Sequence, residues 1–255
     1  VMPEGPITHL SYSQMSTYLT CPLRYKFHYV DLIQPAFTTA ALVFGSSVHR
    51  AAAAHYESRL LGDPIRPDQM LDVYRDTWRG TEGIKYFNGD NEESLLAKAR
   101  QLIEVFYGQV DPDVTIVGVE EFFEVQLAKE VPPFHGYIDL IEESPNGTVT
   151  VADLKTASKK LTGNSVHSNL QLTAYSIGAG SLGFDPEQLT LRLDVLTKTK
   201  NPEMTRYETT RTQQERDRFV KLVRKVWAAI EHHAFYPKED WHCGQCAWAE
   251  HCKEW

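Results

Sequence analysis

The chain lacks any run of about 18 apolar residues, the length a helix needs to cross a bilayer, so no membrane span is expected. Its opening, VMPEGPITHL, lacks the basic segment and apolar stretch of a secretory leader, and an intracellular, cytoplasmic location is expected. Surplus positive charge is missing too. A formal net charge of −8 argues against a protein that coats nucleic acid by blanket electrostatics, yet leaves room for a local basic channel into an acidic site. Internal repeats and low-complexity tracts are absent. Cysteine is scarce and unevenly placed. Of four, Cys21 stands near the start while Cys243, Cys246 and Cys252 crowd the last 13 residues. Intracellular chains of this size rarely rely on disulfides, and the two residues between Cys243 and Cys246 suit chelation better. The 255 residues fit a single domain, 1–255, with a sizeable insertion.

What is present alternates between helical and strand patterns. Ser13 is a candidate N-cap for an opening helix that Pro22 should end, leaving Cys21 at the helix end with its thiol outward. Gly45 reads as a turn before a helix over 45–61, where an alanine run favours helix. Residues 62–110 read as a helical insertion. From 114 to 210 the pattern is that of a catalytic α/β core. TIVGVE and EFFEVQLA read as strands, as do FHGYIDLIEE and TVTVADLK. A helix over 165–183 follows, ended by Gly183. LTLRLDVLTKTK and RYETTR read as later strands. Thr212 and Glu215 form a capping box for a long helix with Phe219, Val223, Val226 and Ile230 at helical spacing. The fold class is therefore α/β, a mixed sheet flanked by helices.

The informative element is the hairpin around Ser-Pro-Asn-Gly. A three-residue loop, Pro145-Asn146-Gly147, makes Ser144 face Thr148 and places Asp139 across from Asp153. Lys155 then projects from the same face as Asp153. A two-residue Asn-Gly loop would instead send the aspartates to opposite faces. Facing Cβ atoms lie roughly 4.5–5.5 Å apart. Two unit charges about 4 Å apart repel by about 4 kcal/mol at an effective dielectric of about 20. Either one carboxylate takes up a proton or a cation bridges the pair, and oxygen ligands suit Mg²⁺ or Mn²⁺. The plain alternative is a surface hairpin with solvated Asp and Lys side chains.

Gly136-x-x-Asp139 followed by Asp153-Leu154-Lys155 resembles the PD-(D/E)xK nuclease superfamily, specifically its RecB-like branch, although Ile138 replaces the namesake proline. The resemblance implies a restriction-endonuclease-like core in which Asp139, Asp153 and the Leu154 carbonyl hold metal and Lys155 is catalytic. Gly45-x-x-x-His49 is similar to the upstream helix whose histidine ligates metal or touches substrate. Glu120, ahead of Glu121, resembles the acid preceding the hairpin, a substrate-side contact. Gln171-x-x-x-Tyr175 resembles the Q-x-x-x-Y motif, where Gln171 serves catalysis and Tyr175 the substrate; four residues apart, they share one helix face.

Cys-x2-Cys-x5-Cys with a distant Cys21 resembles the iron–sulfur members of that branch, such as the AddB-type subunit, exonuclease V and the CRISPR-associated nucleases. The likeness implies a [4Fe–4S] cluster on Cys21, Cys243, Cys246 and Cys252, stapling the segment 241–255 to the start of the chain, with structural zinc as the rival reading. Lys159 and Lys160, just after the second aspartate's strand, are the candidate phosphate contacts. Together these features lead to a metal-dependent deoxyribonuclease, an exonuclease acting on DNA ends or single strands in repair, recombination or processing. With no helicase motif in sight, unwinding would fall to a helicase, repair or adaptation partner. The alternatives are a CRISPR-adaptation or phage-encoded processing nuclease, and a non-catalytic DNA-binding protein keeping the fold.

Overall fold

A computed structural model describes residues 7–255, without the side chains of residues 163 and 164. Residues 1–6, on which most of the leader reading falls, lie outside it. In chain order the elements begin with β1 (Leu10–Ser11), α1 (Tyr12–Thr20) and α2 (Pro22–Tyr25), the last running into a wider turn at Lys26–Val30. Then come β2 (Thr38–Thr39), α3 (Ala40–Leu60), α4 (Pro67–Arg79), β3 (Ile84–Lys85) and α5 (Glu92–Tyr107). The central stretch holds β4 (Thr115–Val125), β5 (Phe134–Glu143), β6 (Val149–Ala157), α6 (Gly163–His167) and α7 (Leu170–Ser181). The chain finishes with β7 (Thr190–Thr197), β8 (Glu203–Thr209), α8 (Gln213–Glu231), a short turn at Trp241–Gln245 and α9 (Ala249–Lys253). Among the described residues no helix is long and apolar enough to cross a membrane.

Six strands form one mixed sheet, ordered β1-β5-β6-β7-β8, with β4 on the other side of β5. The hairpin loop is the three-residue one: Ser144 N–H donates to the Thr148 carbonyl at 3.0 Å, and Gly147 takes φ +83°. The pairs Leu140↔Ala152 through Glu143↔Val149 follow from that loop. Beyond Leu140↔Ala152 the β5–β6 ladder stops, and β1 runs parallel to β5 at Phe134 and His135 instead. The sheet thus forks where the ladder reaches Asp139 and Asp153.

Two cores flank the sheet. On one face α1, α7 and α8 bury Met15, Leu172, Phe219 and Val223 against Ile138, Val151 and Leu193. On the other, α3, α4 and α5 bury Phe44, Tyr74, Leu102 and Phe106 against Leu140, Ala152 and Leu196. The helices of the 62–110 segment therefore cover a sheet face. The mixed sheet with helices on both faces is the architecture expected from the sequence.

Several local expectations shift. The α1 cap is Ser11, whose hydroxyl accepts from Gln14 N–H at 3.2 Å, because β1 delivers the chain there; Ser13 lies inside the helix. The α3 helix starts at Ala40 behind a Thr39 cap, so Gly45 sits mid-helix rather than at a turn. A Cβ on Gly45 would stand 3.6 Å from Thr156 Oγ1, which marks a close approach of α3 to β6. TIVGVE and EFFEVQLA merge into the single strand β4, kinked by a register shift between Ile116 and Gly118. The helix over 165–183 divides at Asn169, whose side chain caps α7. Cys21 is buried beside Leu23, Phe27 and Trp248, with its thiol turned inward rather than outward.

Candidate active site

The fork exposes what a continuous ladder would hide. Where a β6 N–H would bond to a β5 carbonyl, Leu154 N–H donates to the Asp139 carboxylate, at Oδ2, 3.1 Å away. The same oxygen lies 2.5 Å from His49 Nε2, and His49 Nδ1 lies 3.3 Å from Glu120 Oε1. On the other side of the carboxylate, the Tyr175 hydroxyl donates to Oδ1 at 2.8 Å, while Gln171 Nε2 donates to the Tyr175 oxygen at 3.0 Å. The four-residue spacing of Gln171 and Tyr175 on α7 thus becomes a relay that fixes one rotamer of Asp139.

Glu120 reaches this position at a backbone cost. Its φ is +51°, in the left-handed region that non-glycine residues seldom adopt, and such strain clusters at functional sites. The neighbouring Glu121 folds back over Gly118, where a Cβ would come within 2.3 Å of the Glu121 Cγ. The adjacent acids are therefore separated: Glu120 joins His49 and Asp139, and Glu121 does not. Among the described residues His49, Glu120 and Asp139 are the one group of three whose ligand atoms all lie within 4.8 Å of one another.

Glycines bring α7 close enough for the relay. The Phe123 ring of β4 slots between Gly136 of β5 and Gly178 of α7, where a Cβ would lie 2.5 Å and 2.6 Å from ring atoms. Tyr175 stands edge-on to that ring. Gly136 is thus needed for packing under Asp139, a reason that sequence spacing alone does not supply.

Asp153 is fully buried, one register position past the end of the ladder. Lys155 Nζ lies 2.8 Å from both carboxylate oxygens, but in hydrogen-bonding geometry only to Oδ1; Oδ2 has no hydrogen-bond partner. The charges interlock. Burial pushes the Asp153 carboxyl up to about 7. Burial also opposes charge on His49, but its hydrogen bonds to Asp139 and Glu120 prevail and push the imidazole up to about 10. For Asp139 the same burial is outweighed by His49, and the carboxyl is held below its ordinary range. Lys155 resists desolvation because Asp153 and Asp139 lie near it, and it holds its proton more firmly than an ordinary lysine. A protonated His49 therefore stands between two carboxylates, where a cation is needed.

The donor set fits a hard divalent cation. It comprises carboxylate oxygens of Asp139 and Glu120 and the His49 imidazole; Asp153, whose Oδ2 lacks a hydrogen-bond partner, lies outside this 4.8 Å group. Glu120, expected on the substrate side, lies in the ligand group. Lys159 and Lys160 are exposed, and Lys160 pairs with Glu203 at 2.7 Å. Tyr12, not singled out in the sequence, acts electrostatically on Lys155 from the start of α1.

The cysteines lie apart from this centre. Cys21, Cys243, Cys246 and Cys252 are all free thiols lining one cavity of about 390 Å³. Among the described residues no three of their sulfurs come within 4.8 Å of one another. A tetrahedral zinc site, with Zn–S near 2.3 Å, would need sulfurs about 3.8 Å apart. The wider cavity fits a larger group. Trp248 anchors the segment, its indole N–H donating to the Ile33 carbonyl at 2.9 Å.

The model of the PD-(D/E)XK nuclease superfamily matches residues 9–253. Among solved structures, a protein from Eubacterium rectale named "Putative exonuclease" superposes with a TM-score of 0.58 at 12% identity, over 97% of this chain and 88% of that one. That likeness is one of fold. The structure of SSO0001 superposes more loosely, with a TM-score of 0.41 at 15% identity over 95% of each chain. No curated protein sequence matches the chain.

Proposed function

This chain belongs to the PD-(D/E)XK nuclease superfamily, and from that membership we propose that it is a Mg²⁺- or Mn²⁺-dependent deoxyribonuclease of the RecB-like, iron–sulfur branch. It hydrolyses phosphodiester bonds at DNA ends or on single strands, as an exonuclease in cytoplasmic repair, recombination or processing, with duplex opening left to a partner. The observation that carries this reading is the convergence of His49, Glu120 and Asp139 beside the ion pair of half-exposed Lys155 with buried Asp153.

The residues divide the work. Asp139, Asp153, Glu120 and His49 would hold the divalent ion, with the Leu154 carbonyl as a further oxygen. His49 must release its proton to ligate, so binding is coupled to proton release. When bound, the ion supplies a water of lowered pKa and polarises the phosphoryl oxygen. Gln171 and Tyr175 keep Asp139 in one orientation. Lys155 orients the attacking water and stabilises negative charge as the water oxygen bonds to phosphorus and the ester oxygen leaves. Lys159 contacts the backbone phosphate, as does Lys160 once released from Glu203. The cysteine cavity takes a [4Fe–4S] cluster on its four thiols, which uses all of them. The cluster ties residues 241–255 to Cys21 and is structural, leaving the catalytic core to residues 114–210 and the helical cover to 62–110.

The test is cleavage of end-labelled and circular single strands by anaerobically purified protein with Mn²⁺ or with EDTA. Mn²⁺-dependent loss of the labelled end is expected. No cleavage with either refutes the nuclease reading, and cleavage of the circle refutes the exonucleolytic one. Iron and sulfide near four of each per chain are expected, and stoichiometric zinc would replace the cluster assignment.

A further inference from the structure

We propose that the cavity between α1 and the turn ahead of Cys243 receives an unpaired base of single-stranded DNA, stacked on Trp241. The nature of the ligand rests on the nuclease reading above; the place rests on the cavity itself. It measures about 280 Å³, at the lower end for ligand sites, so it suits one base rather than a pair. Its walls include Tyr12, Leu170, Lys238, Trp241 and His242, over a floor at Phe219.

Position favours a substrate path. At one end Leu170 precedes Gln171, which holds the Tyr175 relay. At the other end Lys238, Asp240 and His242 also line the cavity of the four cysteines. The space therefore lies between α1, the start of α7 and the cysteine segment.

Trp241 is built as a platform. It is 85% exposed, an expensive placement for an indole whose one aromatic neighbour among the described residues is the His242 ring, edge-on at 6.0 Å between centroids. Yet its backbone is fixed: Trp241 N–H donates to Asp240 Oδ1 at 2.7 Å, and Asp240 N–H donates to Cys243 Sγ at 3.5 Å. Two polar groups wait beside it. The Lys238 ammonium spends one donor on the Leu19 carbonyl, leaving others for a phosphate. His242, whose ring stands edge-on to Trp241, lines the same cavity. An aromatic face with an adjacent cation is the recurring form of sequence-tolerant single-strand binding.

Equilibrium binding of a fluorescein-labelled oligothymidylate in EDTA reads the site without cleavage. Trp241→Ala should weaken binding about tenfold, the loss of one stacked base. Trp241→Phe should restore most of it. Trp255→Ala, at a tryptophan 67% exposed outside this cavity, should leave affinity unchanged. Undiminished binding by Trp241→Ala overturns the proposal, as does an equal loss in Trp255→Ala or a wild type that does not bind. A wild type that binds through Trp241 but cleaves nothing with Mn²⁺ would refute the nuclease reading and leave this site standing. A wild type that cleaves while Trp241→Ala binds normally would do the reverse.

Discussion

The acidic fork and the cysteine cavity are two candidate metal centres of opposite construction. At the fork the side chains are already ordered by one another: Tyr175 and Leu154 hold Asp139, and a protonated His49 spans the carboxylates. At the cysteine cavity nothing binds the four sulfurs together, and the elements carrying Cys243 and Cys252 are only five residues long with no buried residue, with Cys246 between them. The first centre is organised by the fold, with a proton doing part of the metal's electrostatic work. The second would gain its order from a bound group, as small metal-stapled segments do.

The strongest way to break this comparison is to remove the charges at the fork. Asp153→Ala and Lys155→Ala should each lower cleavage by a factor of roughly 10²–10⁴ in single-turnover assays with Mn²⁺, with the far-ultraviolet circular dichroism unchanged. An active variant of either kind would detach the site from the chemistry.

Next is the cysteine side. Cys252→Ser should leave the core's cooperative melt in place but make the chain after Pro237 open to protease. Equal protease resistance would mean that the thiols carry no ligand. The packing beneath the fork offers a smaller effect. Gly178→Ala drives a methyl into Phe123 and should cost about 1–3 kcal/mol in denaturant unfolding. It should also lower cleavage by displacing Tyr175. Gly147→Ala, at a loop glycine with φ +83° and open space around it, should destabilise without that loss of activity.

The mildest test is pH. The His49 imidazole is raised to about 10, so its stabilisation is complete below its ordinary value near 6.5 and fades as pH climbs towards about 10. Asp153 is raised to about 7, so the stability of its neutral form is full below the ordinary carboxyl range and is lost as pH rises through about 7. Both signs agree. Melting in EDTA should drop progressively between about pH 4 and 10, the lower part from Asp153 and the upper from His49, and His49→Gln should flatten the part above about pH 6.5. A flat profile for the wild type would remove the proton from its bridging place.

Much of this could be read from residue order, for physical reasons. Pro-Asn-Gly fixes a loop length, loop length fixes register, and the register runs up to Asp139 and Asp153, although the ladder stops one pair short of them. The Thr212–Glu215 box and the spacing of Phe219, Val223, Val226 and Ile230 are local, and α8 forms where they indicate. What stayed hidden depends on contacts distant in sequence. The choice of Glu120 over Glu121 comes from a left-handed backbone at one residue of β4. The burial of Cys21 comes from Trp248, more than 200 residues away, as the indole's reach to Ile33 shows. The place of α4 and α5 against the sheet is written in apolar faces that any amphipathic helix would share.

One small element governs access to all of this. The two residues of β1 occupy the side of β5 that β6 abandons, with Leu10 N–H bonded to the Pro133 carbonyl at 2.9 Å. They act as a wedge in a zip: while the wedge is seated, the two arms of the hairpin cannot close up and bury Asp139 in an ordinary ladder. Trimming the chain past Ser11 would therefore remove a spacer of the acidic fork, not a loose tail.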